Sequence, residues 1–219
     1  LEEAMGLDPN LVDSDGDGLG DGVEVNDLGT VRVLDASRRN DVRRVVMASS
    51  SAVYGDDPRL PKTEDMAPRP LSPYAVQKLT GESYATVFKD LYGLETVCLR
   101  YFNVFGSRQD PSSPYSGVIS IFMAKAASGQ APTIDGDGGQ TRDFVYVKDV
   151  VKANLLAASA DNLAGNVLNI GSGSYVLINR LWELITALSG RRLAPVYEPA
   201  RDGDILHSVA GMEATRSVL

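Results

Sequence analysis

Short apolar segments alternate with longer helical patterns along most of this 219-residue chain, and this alternation constrains the fold more than any other feature. No hairpin turn signal separates the segments, so successive strands must be joined by crossover helices and run parallel. The sequence therefore predicts an α/β fold with a parallel sheet covered by helices. Strand-like runs lie at 43–48, 95–101, 144–147 and 167–170, and helical patterns at 26–36, 74–92, 118–127, 150–160 and 175–188.

Acidic charge is concentrated in one short segment. The formal net charge is −8, and the first 27 of the 219 residues contain nine acidic side chains but no Lys or Arg. The rest of the chain is close to neutral and offers no basic stripe, so nucleic-acid binding is not expected. No apolar run reaches the ~18 residues of a membrane span and no basic leader is present, which predicts a soluble, cytoplasmic protein. Cys98 is the single cysteine and is expected to be a buried strand thiol.

Residues 1–25 form an Asp/Gly-rich segment whose spacing is that of a calcium loop. The stretch resembles a thrombospondin type 3 calcium repeat, of which one unit is present. The alternative is a solvated acidic loop that binds nothing. The pattern D-x-[DN]-x-[DN]-G-x5-E is satisfied, and its candidate metal ligands are Asp13, Asp15, Asp17, Asp21 and Glu24.

A tyrosine and a lysine four residues apart form the first catalytic candidate. On a helix, Tyr74 and Lys78 lie on one face, and the ammonium would favour the phenolate form of the tyrosine, which could then act as a base. Alone this spacing occurs by chance on many helices. The run Ser49-Ser50-Ser51 ends a predicted strand, where ligands of parallel sheets bind, so one of these hydroxyls is expected near Tyr74.

Several linked motifs carry a family resemblance over roughly residues 26–219. In order and spacing they resemble the extended short-chain dehydrogenases, specifically the NAD-dependent epimerase/dehydratase family of the UDP-glucose 4-epimerase type. The motifs are SSSAVYG at 49–55, SPYAVQK at 72–78, RYFNVFG at 100–106, TRDFVYVKDV at 141–150 and ARDGD at 200–204.

The resemblance implies roles for individual residues. Tyr74 would be the catalytic base, Lys78 its electrostatic partner, and both would contact the NAD cofactor. Ser50 would supply the hydroxyl bonded to the sugar, with Ser49 and Ser51 as possible substitutes. Arginine forks suit a diphosphate by charge and geometry. The residues implied around the substrate nucleotide are Asn103, Arg142, Arg201 and Asp204.

The resemblance also implies that a part of the family fold is missing. Family members open with a strand and a Gly-x-x-Gly-x-x-Gly turn that binds the dinucleotide pyrophosphate. Gly16–Gly22 fails this spacing, and Gly171–Ser174 lacks the third glycine. We therefore expect a truncated domain at 26–219: an incomplete Rossmann-like sheet without its N-terminal strands, plus a small substrate-binding α/β portion. NAD is expected from the family, but its binding half is absent.

Three functions follow as hypotheses. The first is a sugar-nucleotide epimerase or dehydratase with impaired or lost NAD-dependent turnover. The second is a cofactor-independent amidase or esterase in which Ser50 or Ser51 is activated by Tyr74 and Lys78. The third is a non-catalytic binding remnant. In each case the partner is a small molecule, and the unpaired edge of the 43–48 strand predicts a homo-oligomer, most simply a dimer.

Overall fold

The structure is a computed structural model that describes residues 21–113, 116–161, 163, 165, 167–190, 193–201 and 204–219. The helices of this part are α1 (Asp21–Arg39), α2 (Pro73–Tyr92), α3 (Val118–Ser128), α4 (Val147–Ser159), α5 (Ile178–Ser189) and α6 (Glu213–Val218), with a 3-10 helix at Ser51–Tyr54. The strands are β1 (Arg44–Ser50), β2 (Glu95–Tyr101), β3 (Asn103–Phe105), β4 (Thr133–Asp135), β5 (Thr141–Arg142), β6 (Phe144–Tyr146), β7 (Val167–Ile170), β8 (Val176–Leu177) and β9 (Val196–Glu198).

The central sheet is parallel and has the order β1-β2-β7, which confirms the predicted α/β class. Alternate residues of β1 point to opposite faces. Val46 packs with β2, β7 and α4 in one hydrophobic cluster, whereas Val45 and Met47 pack with α1 and α2 in another. The sheet is therefore covered by α1 and α2 on one face and by α4 on the other. Within the described part of the chain, β1 is an edge strand.

Three short strand pairs build the smaller portion. β3 pairs with β6 and β4 with β9 in parallel, while β5 and β8 form an antiparallel pair that departs from the all-parallel prediction. β8 also corrects the helix predicted at 175–188. Val176–Leu177 forms a strand that pairs with Thr141–Arg142, so α5 begins only at Ile178.

α1 already includes Asp21, so it extends further toward the N-terminus than the helical pattern predicted from residue 26. α1 is continuous across 25–26, where the sequence predicts a domain boundary, and the division into two segments stays a prediction.

A polar row crosses the sheet near the carboxyl ends of its strands. Ser49 of β1 lies beside Arg100 of β2, which lies beside Asn169 of β7. Glu82 of α2 reaches into this row: it accepts hydrogen bonds from Ser49 Oγ (2.5 Å), Arg100 Nε (2.9 Å) and Arg100 Nη2 (2.7 Å). The side chains of Arg100 and Glu82 are only 4% and 7% exposed. The row thus joins the sheet to α2 through a buried ion pair.

The environment of Arg100 holds it firmly in its charged form. Burial alone would lower the pKa of the guanidinium. The hydrogen bonds to Glu82 and the interaction with Tyr54 raise this pKa by more than burial lowers it, so the net pKa is above its ordinary value. The guanidinium also stacks 4.7 Å from the ring centroid of Tyr54, whose hydroxyl donates to Asn169 Oδ1 at 2.7 Å. Each neighbour of the ion pair is therefore itself fixed.

Replacement of Arg100 by Met is expected to lower the free energy of unfolding by about 3–5 kcal/mol, because it leaves the Glu82 carboxylate buried without its partner. Urea denaturation followed by circular dichroism measures the change. Arg38→Met is the control, since Arg38 pairs with Asp35 on the surface of α1, where such a pair contributes about 1 kcal/mol or less. Equal losses in the two variants would contradict a central role for the buried pair.

Candidate functional site

The start of α2 fixes the position of Tyr74. Ser72 is the N-cap and its Oγ accepts a hydrogen bond from Ala75 N at 3.2 Å, while Pro73 occupies the first helical position, where its missing N–H is not needed. Tyr74 follows with its side chain about half exposed. Lys78 lies one turn later, with Nζ 5.6 Å from the Tyr74 ring centroid and 3.3 Å from Ala48 O. The predicted tyrosine and lysine thus share one helix face and turn toward β1.

A cleft forms where α2 meets the carboxyl end of β1, and we call it the tyrosine cleft. It encloses about 450 Å³ of space, part of it open to solvent. The walls come from the helices α1 and α2 and from the strands β1 and β2. Its lining residues are Thr30, Met47, Ala48, Ser49, Tyr74, Gln77, Lys78, Gly81, Glu82 and Cys98.

The three candidate serines occupy different environments. Ser49 lines the tyrosine cleft, but its hydroxyl donates a hydrogen bond to the Glu82 carboxylate. Ser50 caps the 3-10 helix, and its Oγ accepts from Ala52 N at 3.1 Å. Ser50 is buried at the end of β1 and is not one of the cleft-lining residues, whereas Ser51 lies half-buried in the 3-10 helix. The role of Ser50 stays a prediction.

A second cavity brings together all four residues implied for the substrate nucleotide. This cavity, here the arginine cavity, encloses about 750 Å³ of space, part of it open to solvent, and lies in the smaller portion of the fold. Arg142 Nη2 pairs with Asp204 at 2.7 Å, and Arg201 Nε pairs with Asp135 at 2.9 Å. Its lining residues are Asn103, Ser116, Gly117, Val118, Phe122, Thr133, Ile134, Asp135, Gln140, Arg142, Ile178, Arg201 and Asp204.

The cations of the arginine cavity differ in their surroundings. Burial lowers the pKa of Arg142, an effect that the adjacent carboxylate of Asp204 partly offsets. Arg142 Nη1 also donates to Thr141 O at 2.9 Å, so the side chain is held at several points. Arg201 is 76% exposed and keeps the Asp135 contact at the cavity mouth. The cavity thus presents one fixed and one exposed guanidinium.

Asp143 holds the wall of the arginine cavity in place. This fully buried carboxylate accepts hydrogen bonds from Ser172 N and Oγ at 2.7 Å and from Gly173 N and Ala210 N at 3.0 Å. A Cβ at Gly171 would lie 2.9 Å from the same carboxylate, so the turn requires glycine there. Asp143 therefore ties the strand segment that carries Arg142 to the turn after β7 and to the chain that follows Asp204.

Sequence reasoning did not single out Asp135, Gln140 or Glu82. Asp135 ends β4 just before Gly136, a turn glycine with φ of 74°, and Gln140 Nε2 donates to the Asp135 main-chain oxygen at 2.5 Å. Gln140 Oε1 is buried and has no hydrogen-bond partner among the described residues. β4 has three residues, of which only Ile134 is apolar, so no local signal in the sequence distinguishes Asp135, and none distinguishes Glu82.

The side chains of the predicted calcium ligands lie outside the described part of the protein. Asp13, Asp15 and Asp17 lie outside the described residues, and Asp21 and Glu24 are described only through the backbone of α1. Among the residues that the structure describes, no group of three or more His, Cys, Asp or Glu side chains could hold a metal ion. Nor does any described helix have the length and apolar character needed to span a membrane.

Comparison with known proteins points to one family. Residues 12–171 match the model of the NAD dependent epimerase/dehydratase family, and the match begins inside the acidic segment. The UDP-glucose 4-epimerase of Mycolicibacterium smegmatis is 39% identical over 196 residues, which are 89% of this chain and 62% of that protein. The chain spans about three fifths of the length of the curated relatives it matches.

Two solved structures resemble the fold closely. The UDP-glucose 4-epimerase of Thermotoga maritima with UDP-glucose has a TM-score of 0.85 and 36% identity, over 89% of this chain and 63% of that one. The UDP-glucose 4-epimerase of Thermus thermophilus in complex with NAD has a TM-score of 0.80 and 36% identity, over 94% and 67% of the respective chains.

The thiol of Cys98 in the tyrosine cleft is expected to be unreactive in the folded protein. Burial, and secondarily the charge of Glu82, raise its pKa to about 12. An unfolded thiol titrates near ~8.5, so at about pH 8 the thiolate fraction is about a thousandfold larger in the unfolded chain. Ellman's reagent should therefore react slowly with native protein and release one thiol equivalent per chain in urea. Rapid native reaction would contradict this burial.

Proposed function

This chain belongs to the NAD dependent epimerase/dehydratase family, and we propose that it is the substrate-binding and proton-transferring part of a UDP-glucose 4-epimerase-like sugar-nucleotide epimerase. The observation that carries the proposal is the convergence of Asn103, Arg142, Arg201 and Asp204 on one cavity, in a fold that also presents Tyr74 and Lys78 in one cleft. The sequence similarity to UDP-glucose 4-epimerases supports the same reading.

Proton transfer is assigned to Tyr74. Its phenol is half exposed in the tyrosine cleft, and the Lys78 Nζ lies 5.6 Å from its ring centroid on the same helix face. The Tyr74 side chain is the proposed group that takes the proton of the sugar hydroxyl at the carbon to be inverted and returns it at the end of the reaction. The Ser50 hydroxyl, at the end of β1, is proposed to bond the same sugar oxygen and orient it. Positioned acid–base groups of this kind contribute about 10²–10⁴-fold to a rate.

Ligand binding is assigned to the arginine cavity. Arg142 and Arg201 are the cations for a diphosphate, which a guanidinium binds through two parallel hydrogen bonds. Asn103 and Asp204 supply an amide and a carboxylate for neutral polar groups of the nucleotide. Apolar walls at Phe122, Ile134 and Ile178 suit the faces of a ring. A nucleoside diphosphate sugar therefore matches the cavity in charge and in polarity.

The tyrosine cleft fits the ribose and nicotinamide side of NAD, because Lys78 offers ammonium donors beside the half-exposed phenol of Tyr74. When bound, NAD supplies a hydride acceptor and donor. The Gly171–Ser174 turn is not suited to the pyrophosphate, since Asp143 already accepts from the amides of Ser172 and Gly173.

The hydrolase hypothesis is not favoured. An activated serine needs a free hydroxyl beside its base. Ser49 is the one candidate serine among the residues that line the tyrosine cleft, and its hydroxyl donates a hydrogen bond to Glu82 instead. The family model and the relatives that the chain resembles are epimerases. The binding-remnant hypothesis remains as one outcome of the experiment below, in which ligand binds and no chemistry follows.

Replacement of Arg142 by Met is expected to weaken UDP-glucose binding by about 10- to 100-fold, because charge-assisted hydrogen bonds contribute about 1.5–3 kcal/mol. Isothermal calorimetry measures the affinity. Arg180→Met is the matched control, since Arg180 is an exposed arginine of α5 that pairs with Glu183 and does not line the cavity. Tyr74→Phe should bind UDP-glucose within about threefold of the parent and lose any NAD-dependent inversion at C4, since only the proton acceptor is removed. For the first comparison, equal UDP-glucose affinities of the Arg142 and Arg180 variants would contradict the assignment of the cavity to the nucleotide.

We propose that this 219-residue chain forms a homodimer, because β1 has no strand on its outer side within the described residues. An uncovered edge strand presents free N–H and C=O groups that a second copy can pair. Multi-angle light scattering at about 10 μM protein should give twice the 23.4 kDa chain mass. A monomer mass under these conditions would exclude the proposed pairing.

A further inference from the structure

The charges of the arginine cavity cancel among the residues that the structure describes. The charged lining residues of this part are two arginines and two aspartates, each arginine paired with one aspartate. A diphosphate that enters a cavity without net charge gains little from long-range attraction. The diphosphate gains binding energy only where a guanidinium breaks its ion pair with the aspartate, or bonds to the aspartate and the phosphate at the same time. Which of the two pairs opens more readily therefore decides how the ligand is received.

The two pairs are not equivalent. The Arg142–Asp204 pair is short, at 2.7 Å, and the arginine side chain is only 15% exposed. Arg142 also donates to the main-chain oxygens of Thr141 and Leu206. Arg201, by contrast, is 76% exposed and contacts Asp135 through Nε at 2.9 Å. Exposed ion pairs contribute little stability and open easily, so the Arg201–Asp135 pair is the one that yields.

Asp135 cannot move with Arg201 when the ion pair between them breaks. Its main chain is paired with Glu198 of β9, and its carbonyl oxygen accepts from Gln140 Nε2. The carboxylate is one quarter exposed and lies in the cavity wall. The mobile partner is therefore the long arginine side chain, and the fixed carboxylate competes with an incoming anion for it.

We propose that Asp135 is an affinity-determining residue, an internal competitor that holds Arg201 in the empty cavity and that an anionic ligand must displace. The proposal rests on the assignment of this cavity to a nucleoside diphosphate sugar. Asp135 weakens the binding of ligands whose phosphates reach Arg201 and leaves uncharged nucleosides unaffected. It also makes the affinity depend on salt, because competition between exposed charges is screened.

The variant Asp135→Asn tests the proposal, with Asp137→Asn as its matched control. Asp137 is exposed, lies two residues away in the same turn, and forms no ion pair with the described residues; its Oδ1 accepts from Gly139 N, which an asparagine oxygen retains. Both substitutions remove one negative charge. Calorimetry uses three probes: UDP-glucose, inorganic pyrophosphate and uridine.

At about 50 mM salt, Asp135→Asn should bind UDP-glucose and pyrophosphate about two- to fivefold more tightly than Asp137→Asn, the range set by an exposed ion pair. Uridine should bind both variants equally. The gain should vanish at about 1 M salt and in an Arg201→Met background, where there is no guanidinium to release.

Equal or weaker phosphate binding by Asp135→Asn, or a gain that survives Arg201→Met, would overturn the proposal. If no protein binds UDP-glucose but Asp135→Asn binds pyrophosphate more tightly, the proposed function fails and the competition between Asp135 and the anion stands. If neither probe binds any variant, both are overturned.

Discussion

The buried pair of Arg100 and Glu82 is the interaction on which the rest of the structure depends. It joins β2 to α2, and through Ser49 it fixes the carboxyl end of β1 against the same helix. Tyr54 extends the network to Asn169, whose side chain donates to the main-chain oxygens of Lys62 and Gly211. A charge taken so far from water is stable only when every neighbour is in place. The geometry of the tyrosine cleft is thus set by residues that take no part in the proposed chemistry.

Asp143 has the corresponding task in the smaller portion. Its four hydrogen bonds join segments near residues 143, 172 and 210, which are remote in sequence, and the arginine cavity lies among the same segments. Asn103 N donates to Asp143 O at 3.0 Å, so β3 is tied in as well. The two buried carboxylates therefore divide the molecule: Glu82 organises the part assigned to proton transfer, and Asp143 organises the part assigned to binding.

Local signals in the sequence account for what could be predicted. β2 and β7 have the predicted bounds because each is a short run rich in apolar residues without Gly or Pro, and α2 is delimited by Ser72, Pro73 and the left-handed Gly93. β8 was missed because two residues carry no periodicity. The convergence of Arg142 and Arg201 was expected only through family resemblance. The Arg201–Asp135 and Arg100–Glu82 pairs were not foreseen, since tertiary packing alone chooses partners so distant in sequence.

Trp182 is the only tryptophan of the chain, and its place in α5 gives the protein an internal optical reporter. Its indole is almost fully buried, donates to Leu193 O at 2.8 Å, and meets the edge of Phe122 with ring centroids 5.4 Å apart. Phe122 lines the arginine cavity, so the fluorophore stands one side chain behind its wall. A ligand that displaces Phe122 would therefore change the environment of a single indole, without any added label.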